Sequence, residues 1–222
     1  PQISGTLVRY LQSRHVDMDA WEVGMFDQTH LAGYAVFLFR MDGVPVYWQA
    51  RNVCGTGPKS RNPTSEEGFP RSEVLVNFDH IKPESTVVLC EGPFDAAAVH
   101  NPDEGMVGVC LLGKPLLTKT QSHLLQSANP RRVVCCLDGD AQSEQARLYN
   151  QVERLRLDVS AATMPPSQDP NDLGPETMAR LIQAASPLTN QDRVLMQYRG
   201  SRQKSGKRLL ARRRFSWRSG PR

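Results

Sequence analysis

Three acidic side chains that could support metal-dependent chemistry follow two apolar segments of the sequence. Glu91 comes directly after the apolar segment 86–90, and Asp138 and Asp140 follow the apolar segment 132–137. If these segments are neighbouring strands of a parallel sheet, the three carboxylates converge where the strands end. Carboxylates held so close repel one another, and a divalent cation removes that repulsion. Ligand sets made only of oxygen atoms suit Mg²⁺ or Mn²⁺, so the sequence predicts a site for one of these ions.

The segment Asp138-Gly139-Asp140 could act in two ways. If strand geometry continued through it, the alternation of side chains would place both carboxylates on the same side. Gly139 would then permit a tight turn and the close approach of a phosphate. The alternative is an ordinary turn with a helix N-cap. The combination with Glu91 at a second strand end favours the metal-binding role.

Alternating strands and helices position these residues. The patterns predict strands at 86–90, 106–112, 132–137 and 157–164, and helices at 93–99, 117–127, 141–156 and 175–185. This alternation predicts βαβ units with a parallel sheet, and the continuous apolar strands indicate a sheet that is covered on both faces. Thr118 is the expected N-cap of the second helix.

The first 83 residues have a different pattern. We expect a short helix at 7–13 and a hairpin of strands 35–40 and 44–50 around Met41-Asp42-Gly43, because an Asp-Gly pair between apolar strands is a strong hairpin signal. Segment 54–70 is rich in Gly, Pro, Ser, Thr and Asn, which predicts a loop.

Charge is distributed unevenly along the chain. Ten basic residues and no acidic residue lie between Arg199 and Arg222, which leaves 17 basic against 23 acidic residues in the first 198. A basic terminus on an acidic body suggests a polyanionic partner. Arg212, Arg213, Arg214 and Trp217 combine phosphate contact with base stacking, which suits single-stranded nucleic acid. A disordered solubilising terminus and a membrane-binding basic segment are the alternatives.

The cysteines and the hydropathy indicate the cell compartment in which the protein is expected. The five cysteines include no CxxC pair, and four of them lie in apolar segments, so we expect reduced, buried thiols and no zinc site. No apolar stretch approaches the roughly 18 residues of a membrane span, and the first residues lack the layout of a signal peptide. These features predict a cytoplasmic protein without a membrane partner.

The acidic motifs resemble those of Toprim domains. Residues 91–95, Glu-Gly-Pro-Phe-Asp, are similar to the EGxxD motif of this family, and Asp138-Gly139-Asp140 is similar to its DxD motif. The resemblance implies that Glu91, Asp138 and Asp140 are catalytic and bind Mg²⁺ (or Mn²⁺). It also implies a further metal ligand in Asp169, from the acidic segment 168–172, and a positioning role for Asp95.

The upstream region resembles the catalytic core of bacterial and phage primases. Residues 10–14 are similar to a YLxxR opening, residues 46–53 to a strand that carries a basic GFxGR motif, and residues 59–63 to a KYLNSP motif. The resemblance implies that Arg51, Lys59, Asn62 and Lys114 bind the incoming nucleotide or the template. Ordinary solvated charge is the alternative role for Arg51 and Lys59.

The resemblance implies the fold and the domains. The expected fold is α/β, with a mixed α+β N-terminal subdomain at 1–83, a Rossmann-like parallel-sheet Toprim domain at 84–198 and a basic, disordered tail at 199–222.

The implied activity is a DNA-directed RNA polymerase of the primase type, acting on single-stranded DNA with NTPs beside a separate replicative helicase in a bacterial or phage-infected cell. The sequence shows neither the zinc module that usually precedes such cores nor a P-loop. A Toprim nuclease and a non-catalytic recombination mediator are the alternatives.

Overall fold

The computed structural model describes residues 5–26, 30–64, 66–67 and 70–200 of the chain. The helices are α1 Gly5–Ser13, α2 Pro93–Val99, α3 Lys119–Ala128, α4 Gln142–Arg154, α5 Pro170–Leu173 and α6 Pro175–Gln183, and residues 190–200 are also helical. The strands are β1 Val23–Gly24, β2 Tyr34–Met41, β3 Val44–Asn52, β4 Ser60–Arg61, β5 Thr86–Cys90, β6 Met106–Cys110, β7 Arg132–Cys135 and β8 Val159–Ala161. The predicted α/β fold is confirmed.

The first sheet is antiparallel and contains the predicted hairpin. Its strand order is β1-β2-β3-β4, and β2 pairs with β3 from Tyr34 opposite Asn52 to Met41 opposite Val44. Asp42 and Gly43 form the turn with φ angles of 52° and 72°. A two-residue turn between twisted strands needs positive φ at both positions, and Asp-Gly adopts it readily.

Segment 54–70, predicted as a loop, contains one short strand. β4 pairs with β3 through Arg61 opposite Ala50 and Ser60 opposite Arg51. This pairing brings Lys59 and Asn62, the residues on either side of β4, beside the strand that carries Arg51. A two-residue strand is too short to show an alternating pattern, so the sequence did not indicate it.

The second sheet is parallel, with the strand order β6-β5-β7-β8. Every residue of β5, β6 and β8 is buried, as expected for a sheet covered on both faces. α3 begins at the predicted cap: Thr118 Oγ1 accepts from the Gln121 N–H at 3.2 Å, and Gln121 Oε1 accepts from the Thr118 N–H at 2.9 Å. This reciprocal pair satisfies two backbone donors that the helix leaves free.

Successive residues of β5 contribute to different cores. Val88 and Cys90 belong to a core that also contains Phe37 of the first sheet. Val87 and Leu89 belong to the core on the other side of the parallel sheet, where α3 and α4 pack. Because the first core takes residues from both sides of the expected boundary at residue 83, the two sheets are packed together as one unit.

The 190–200 helix packs on α4. Arg193 donates to both carboxylate oxygens of Glu153 at 2.7 Å, and its guanidinium carbon lies 4.7 Å from the ring centroid of Tyr149. The helix includes Arg199, so the expectation of a disordered tail from residue 199 is wrong for its first two residues. The remaining tail, with Arg212, Arg213, Arg214 and Trp217, lies outside the described residues. Within the described ranges, no helix combines the length and the apolar character needed to span a bilayer.

Candidate active site

Glu91 and Asp138 meet at the carboxyl ends of two neighbouring strands. β5 and β7 are hydrogen-bonded partners, with Leu89 opposite Cys135, and the pairing continues through the Cys136 N–H, which donates to the Leu89 carbonyl at 2.9 Å. The chain then brings the backbone N–H of Asp138 to the Glu91 carboxylate, which accepts a hydrogen bond from it. The strand order therefore places these two carboxyl groups together.

Asp138 and Asp140 lie in a turn and not on a strand. β7 ends at Cys135, and the Ala141 N–H donates to the Asp138 carbonyl at 2.8 Å. The argument from strand alternation therefore does not apply, and the turn brings the two carboxyl groups together. The turn of the alternative interpretation is therefore present, whereas its helix cap is not, because the N-cap of α4 is Ala141, which has no side-chain cap bond.

Gly139 allows a close approach between two backbone segments. A Cβ atom at this position would lie 1.8 Å from the Pro165 carbonyl oxygen, and the Gly139 N–H donates to the Gln168 carbonyl at 2.9 Å. No other residue type fits there without movement of the backbone. The contact fixes the turn that carries Asp138 and Asp140 against the segment that leads to Asp169.

Burial and mutual repulsion raise the pKa values of three carboxyl groups. The pKa of Glu91 rises to about 7 through burial and then through the charges of Asp138 and Asp140. The pKa of Asp95 also rises to about 7, through burial and then through Asp138 and Asp169. The pKa of Asp138 rises to about 6, through burial and then through Asp169 and Asp140. The carboxyl groups that interact in this way are called the acidic edge: Glu91, Asp95, Asp138, Asp140 and Asp169.

Two members of the acidic edge also accept backbone hydrogen bonds at the start of a helix. Asp95 is 9% exposed, and its Oδ2 accepts from the Gly92 N–H at 3.1 Å, which orients the start of α2 just after Glu91. Asp169 Oδ1 accepts from the Asp172 N–H at 2.8 Å at the start of α5. Asp95 therefore has the geometry of a positioning residue. Asp169 uses one carboxylate oxygen, Oδ1, to cap α5.

Three of the residues predicted to bind the nucleotide or the template, Arg51, Lys59 and Asn62, lie on β3 or beside β4. Lys59 is exposed, and its charge lowers the pKa of Asp138. The guanidinium carbon of Arg51 lies 6.0 Å from the centroid of the Phe94 ring, three residues after Glu91. Asn62 is held by Gln49, whose Nε2 donates to its Oδ1 at 2.9 Å.

Lys114 belongs to a loop whose backbone contacts Glu91 of the acidic edge. It is exposed, and it follows a turn in which the Gly113 N–H donates to the Glu91 carbonyl at 2.9 Å. The Leu112 carbonyl of the same turn accepts from Arg71 Nη1 at 2.9 Å. Arg71 was not among the predicted residues, and its guanidinium fixes the loop that presents Lys114.

Three further charged residues near the acidic edge were not among the predicted site residues, although Arg14 and Asp172 lie in motifs that the sequence shows. The guanidinium carbon of Arg14 lies 5.3 Å from the Phe94 ring centroid, and the Arg14 carbonyl accepts from Asn171 Nδ2. The charges of Glu144 and Asp172 raise the pKa values of Glu91 and Asp138, respectively. The position of Glu144 in the first helical turn after the Asp138 turn was a usable signal, whereas the approach of Arg14 requires tertiary contacts.

The acidic edge has the chemistry of a divalent-cation site. Its ligand atoms are carboxylate oxygens, and Asp138 Oδ1 is buried without a hydrogen-bond partner among the described residues, an arrangement that a hard cation would satisfy. In the part of the chain that the structure describes, no three His, Cys, Asp or Glu side chains are already grouped as metal ligands.

Comparison with known proteins gives a family match for part of the chain and one curated relative. Residues 88–174 match the family described as Toprim-like. The chain is 29% identical over 160 residues to a DNA primase of Myxococcus xanthus, and the match covers 67% of this chain and 26% of the relative. The chain thus spans about a quarter of the length of this curated relative.

Solved primase structures share the fold. The zinc-binding and RNA polymerase domains of the Aquifex aeolicus primase align with a TM-score of 0.67 at 19% identity, covering 83% of this chain and 57% of that one. The E. coli primase catalytic core aligns with a TM-score of 0.57 at 18% identity, covering 82% and 74%. Residues 88–174 therefore match the Toprim-like family, and the chain shares the fold of these solved primase structures.

Proposed function

We infer that the chain is the catalytic core of a Toprim-domain DNA primase, an enzyme that joins ribonucleotides into a short primer on a single-stranded DNA template. The observation that carries this proposal is the hydrogen bond from the Asp138 N–H to Glu91, which joins the two acidic motifs at one point. The sequence relative and the shared fold support the same activity.

The proposed catalytic groups are Glu91, Asp138 and Asp140, with Asp169 as a further ligand. Mg²⁺ or Mn²⁺ bound there would lower the pKa of the attacking 3′-hydroxyl and offset the negative charge that builds up on the α-phosphate. The high pKa values of Glu91 and Asp138 support this role, because carboxyl groups that repel one another gain most from a cation.

The proposed nucleotide and template contacts are Arg51, Lys59, Asn62 and Lys114. Lys59 is near enough to Asp138 to lower its pKa, so a phosphate bound between them would meet an ammonium group. Arg51 projects from β3 toward Phe94 beside the acidic edge. Guanidinium and ammonium donors make strong, charge-assisted hydrogen bonds to phosphate oxygens.

The proposed partners are single-stranded DNA, NTPs and a separate replicative helicase. One structural neighbour, at 17% identity and a TM-score of 0.59, is a primase catalytic domain bound to single-stranded DNA. We assign the basic residues of 199–222, with Arg212, Arg213, Arg214 and Trp217, to contact with the template strand. Such an enzyme works where DNA is replicated, in the cytoplasm of a bacterial or phage-infected cell.

A primer-synthesis assay tests this function against the nuclease alternative, which uses the same acidic edge. The chain is incubated with single-stranded DNA and Mg²⁺, with and without labelled NTPs. We expect short labelled RNA when NTPs are present and intact DNA when they are absent. Metal-dependent cleavage of the DNA without NTPs, and no RNA product with them, would instead support the nuclease.

A further inference from the structure

The hydrogen-bond ladder between β7 and β8 is interrupted just before Asp138. The ladder includes a bond from the Ala162 N–H to the Cys135 carbonyl at 3.0 Å. Parallel strands repeat their bonds at even spacing, so the next bond in the series would run from the Leu137 N–H to the Ala162 carbonyl. Both of these backbone groups bond instead to a side chain.

The side chain of Gln145, from the start of α4, lies between these two backbone groups. Its Oε1 accepts from the Leu137 N–H at 2.9 Å, and its Nε2 donates to the Ala162 carbonyl at 2.9 Å. Gln145 is 5% exposed. One backbone group needs an acceptor and the other needs a donor, which fixes the orientation of the amide. The amide therefore replaces one bond of the ladder and separates the ends of the two strands.

On its other side, β7 stays paired with β5. The Cys136 N–H donates directly to the Leu89 carbonyl at 2.9 Å, so the ladder between these two strands continues past the last residue of β7. The chain that leads to Asp138 therefore separates from β8 and follows β5. Glu91 is the first residue after β5, and the Asp138 N–H donates to its carboxylate.

The separation of β7 from β8 affects Asp138 directly, because Asp138 is the residue after Leu137. Without the amide of Gln145, the Leu137 N–H and the Ala162 carbonyl would both be buried and unpaired, which is costly. A direct ladder bond between them would remove that cost. Forming it would move Leu137 toward β8 and draw Asp138 away from Glu91.

We propose that Gln145 is a positioning residue for Asp138: its amide holds the ends of β7 and β8 apart, so that the Asp138 carboxyl group stays beside Glu91. The proposal rests on the proposed function, in which these two carboxyl groups bind Mg²⁺ or Mn²⁺. Gln145 acts only through the backbone, because its amide oxygen and nitrogen are bonded to Leu137 and Ala162.

The affinity for Mg²⁺ is the first measurement, because a metal site binds less tightly when its ligands lose the contacts that orient them. Gln145→Met keeps the length of the side chain and removes both hydrogen bonds. We expect its dissociation constant for Mg²⁺, measured by calorimetry on the full chain, to rise at least about tenfold. Gln145→Asn keeps an amide that is too short to reach both backbone groups. It should also weaken Mg²⁺ binding, and it provides the test if Gln145→Met does not fold.

Gln121→Met is the matched control. Gln121 is also a buried amide, 3% exposed, whose Oε1 accepts from the Thr118 N–H at 2.9 Å and whose Nε2 donates to the Val74 carbonyl at 2.8 Å. The segments that it joins carry no residue of the acidic edge. This variant also loses buried hydrogen bonds and should unfold at a lower temperature, but its dissociation constant for Mg²⁺ should stay within about twofold of the wild-type value.

Hydrogen exchange of the Asp138 amide, measured by NMR in EDTA, tests the position of Asp138 without a metal. In the wild type this N–H is bonded to Glu91, which slows its exchange. In Gln145→Met it should exchange at least about tenfold faster, relative to the Val134 amide within β7 of the same molecule. In Gln121→Met this ratio should equal the wild-type ratio.

The outcomes separate this proposal from the proposed function. If the folded Gln145 variants bind Mg²⁺ like the wild type, or if their Asp138 amide exchanges at the wild-type rate, Gln145 does not position Asp138, and the primase function stands. If the wild type binds no Mg²⁺, the proposed metal site fails, and the exchange rates alone decide whether Gln145 positions Asp138.

Discussion

The backbone N–H of Asp138 donates a hydrogen bond to the carboxylate of Glu91, across the ends of two neighbouring parallel strands. The two residues are 47 positions apart in sequence. Their contact depends on the pairing of β5 with β7 and on the turn at Gly139. Because this bond favours the ionised form of Glu91 while burial and neighbouring charges oppose it, the protonation of Glu91 is sensitive to its surroundings.

Stability in the absence of metal should fall as the pH rises from 5 to 8. The folded protein holds protons on Glu91, Asp95 and Asp138 up to about pH 7, 7 and 6, above their ordinary values of 4.5, 3.8 and 3.8. A raised carboxyl pKa stabilises the fold at low pH, and this contribution is lost as the pH passes through the raised value. His100, whose pKa is lowered to about 4, acts in the opposite direction but is a single group.

Thermal unfolding in EDTA at several pH values measures this effect. We expect a midpoint several degrees lower at pH 8 than at pH 5, and a smaller difference in Glu91→Gln, which cannot ionise. If the unfolding midpoint changed with pH by the same amount in the wild type and in Glu91→Gln, the assignment of the pH dependence to the acidic edge would be contradicted.

Mg²⁺ should restore the stability that is lost at high pH. A cation that binds the folded protein alone raises its unfolding midpoint with increasing concentration, and at pH 8 the acidic edge is ionised and able to bind it. The midpoint should rise with Mg²⁺ concentration until it saturates at pH 8, and should rise much less at pH 5. Asp138→Asn should reduce the increase at pH 8; an undiminished increase would place the ion elsewhere.

Gly139→Ala should disrupt the Asp138 turn. The added Cβ would lie 1.8 Å from the Pro165 carbonyl oxygen, so the two backbone segments must separate. We expect a loss of roughly 1–3 kcal/mol in the free energy of unfolding, measured by urea denaturation, together with reduced primer synthesis. Gly105→Ala is a control without steric crowding, because a Cβ there meets no atom within 4 Å; its positive φ of 68° adds only local strain. Equal losses in the two variants would show that crowding at Gly139 is unimportant.

The sequence predicted those parts of the fold that depend on local patterns. The Asp42-Gly43 turn, the Thr118 cap and the buried strand β5 each follow from adjacent residues, and the structure confirms all three. The 190–200 helix and β4 were missed, because neither has a long periodic pattern. The helix is stabilised by contacts such as Arg193 with Glu153, and β4 by its pairing with β3.

The candidate site was also predicted only in part. Glu91 and Asp138 follow strands whose order could be expected from βαβ topology, so their approach could be foreseen. The positions of Arg14, near Phe94, and of Gln145, between the ends of β7 and β8, depend on packing between distant segments. No spacing in the sequence encodes such contacts.

Removal of residues 201–222 should weaken binding to single-stranded DNA and reduce its dependence on salt. This segment carries nine Lys and Arg residues and no acidic residue. The slope of log affinity against log salt should become shallower by about 0.7 for each phosphate contact that is lost. A variant that replaces only Phe215 and Trp217 with Ser should lose affinity without a change in slope. An unchanged slope after truncation would show that the tail does not contact the DNA.

Primer synthesis by the double variant Asp138→Asn, Asp140→Asn tests the central claim most directly. Replacing Asp by Asn keeps the size of the side chains and removes their charge, so the fold should be retained. Asp103→Asn with Asp158→Asn, two exposed residues near the other end of the parallel sheet, is the matched control. We predict that the first pair lowers the rate of RNA synthesis on single-stranded DNA with Mg²⁺ by at least about a hundredfold, whereas the control pair synthesises primers at the wild-type rate. Undiminished synthesis by Asp138→Asn, Asp140→Asn would contradict the assignment of the acidic edge as the catalytic site.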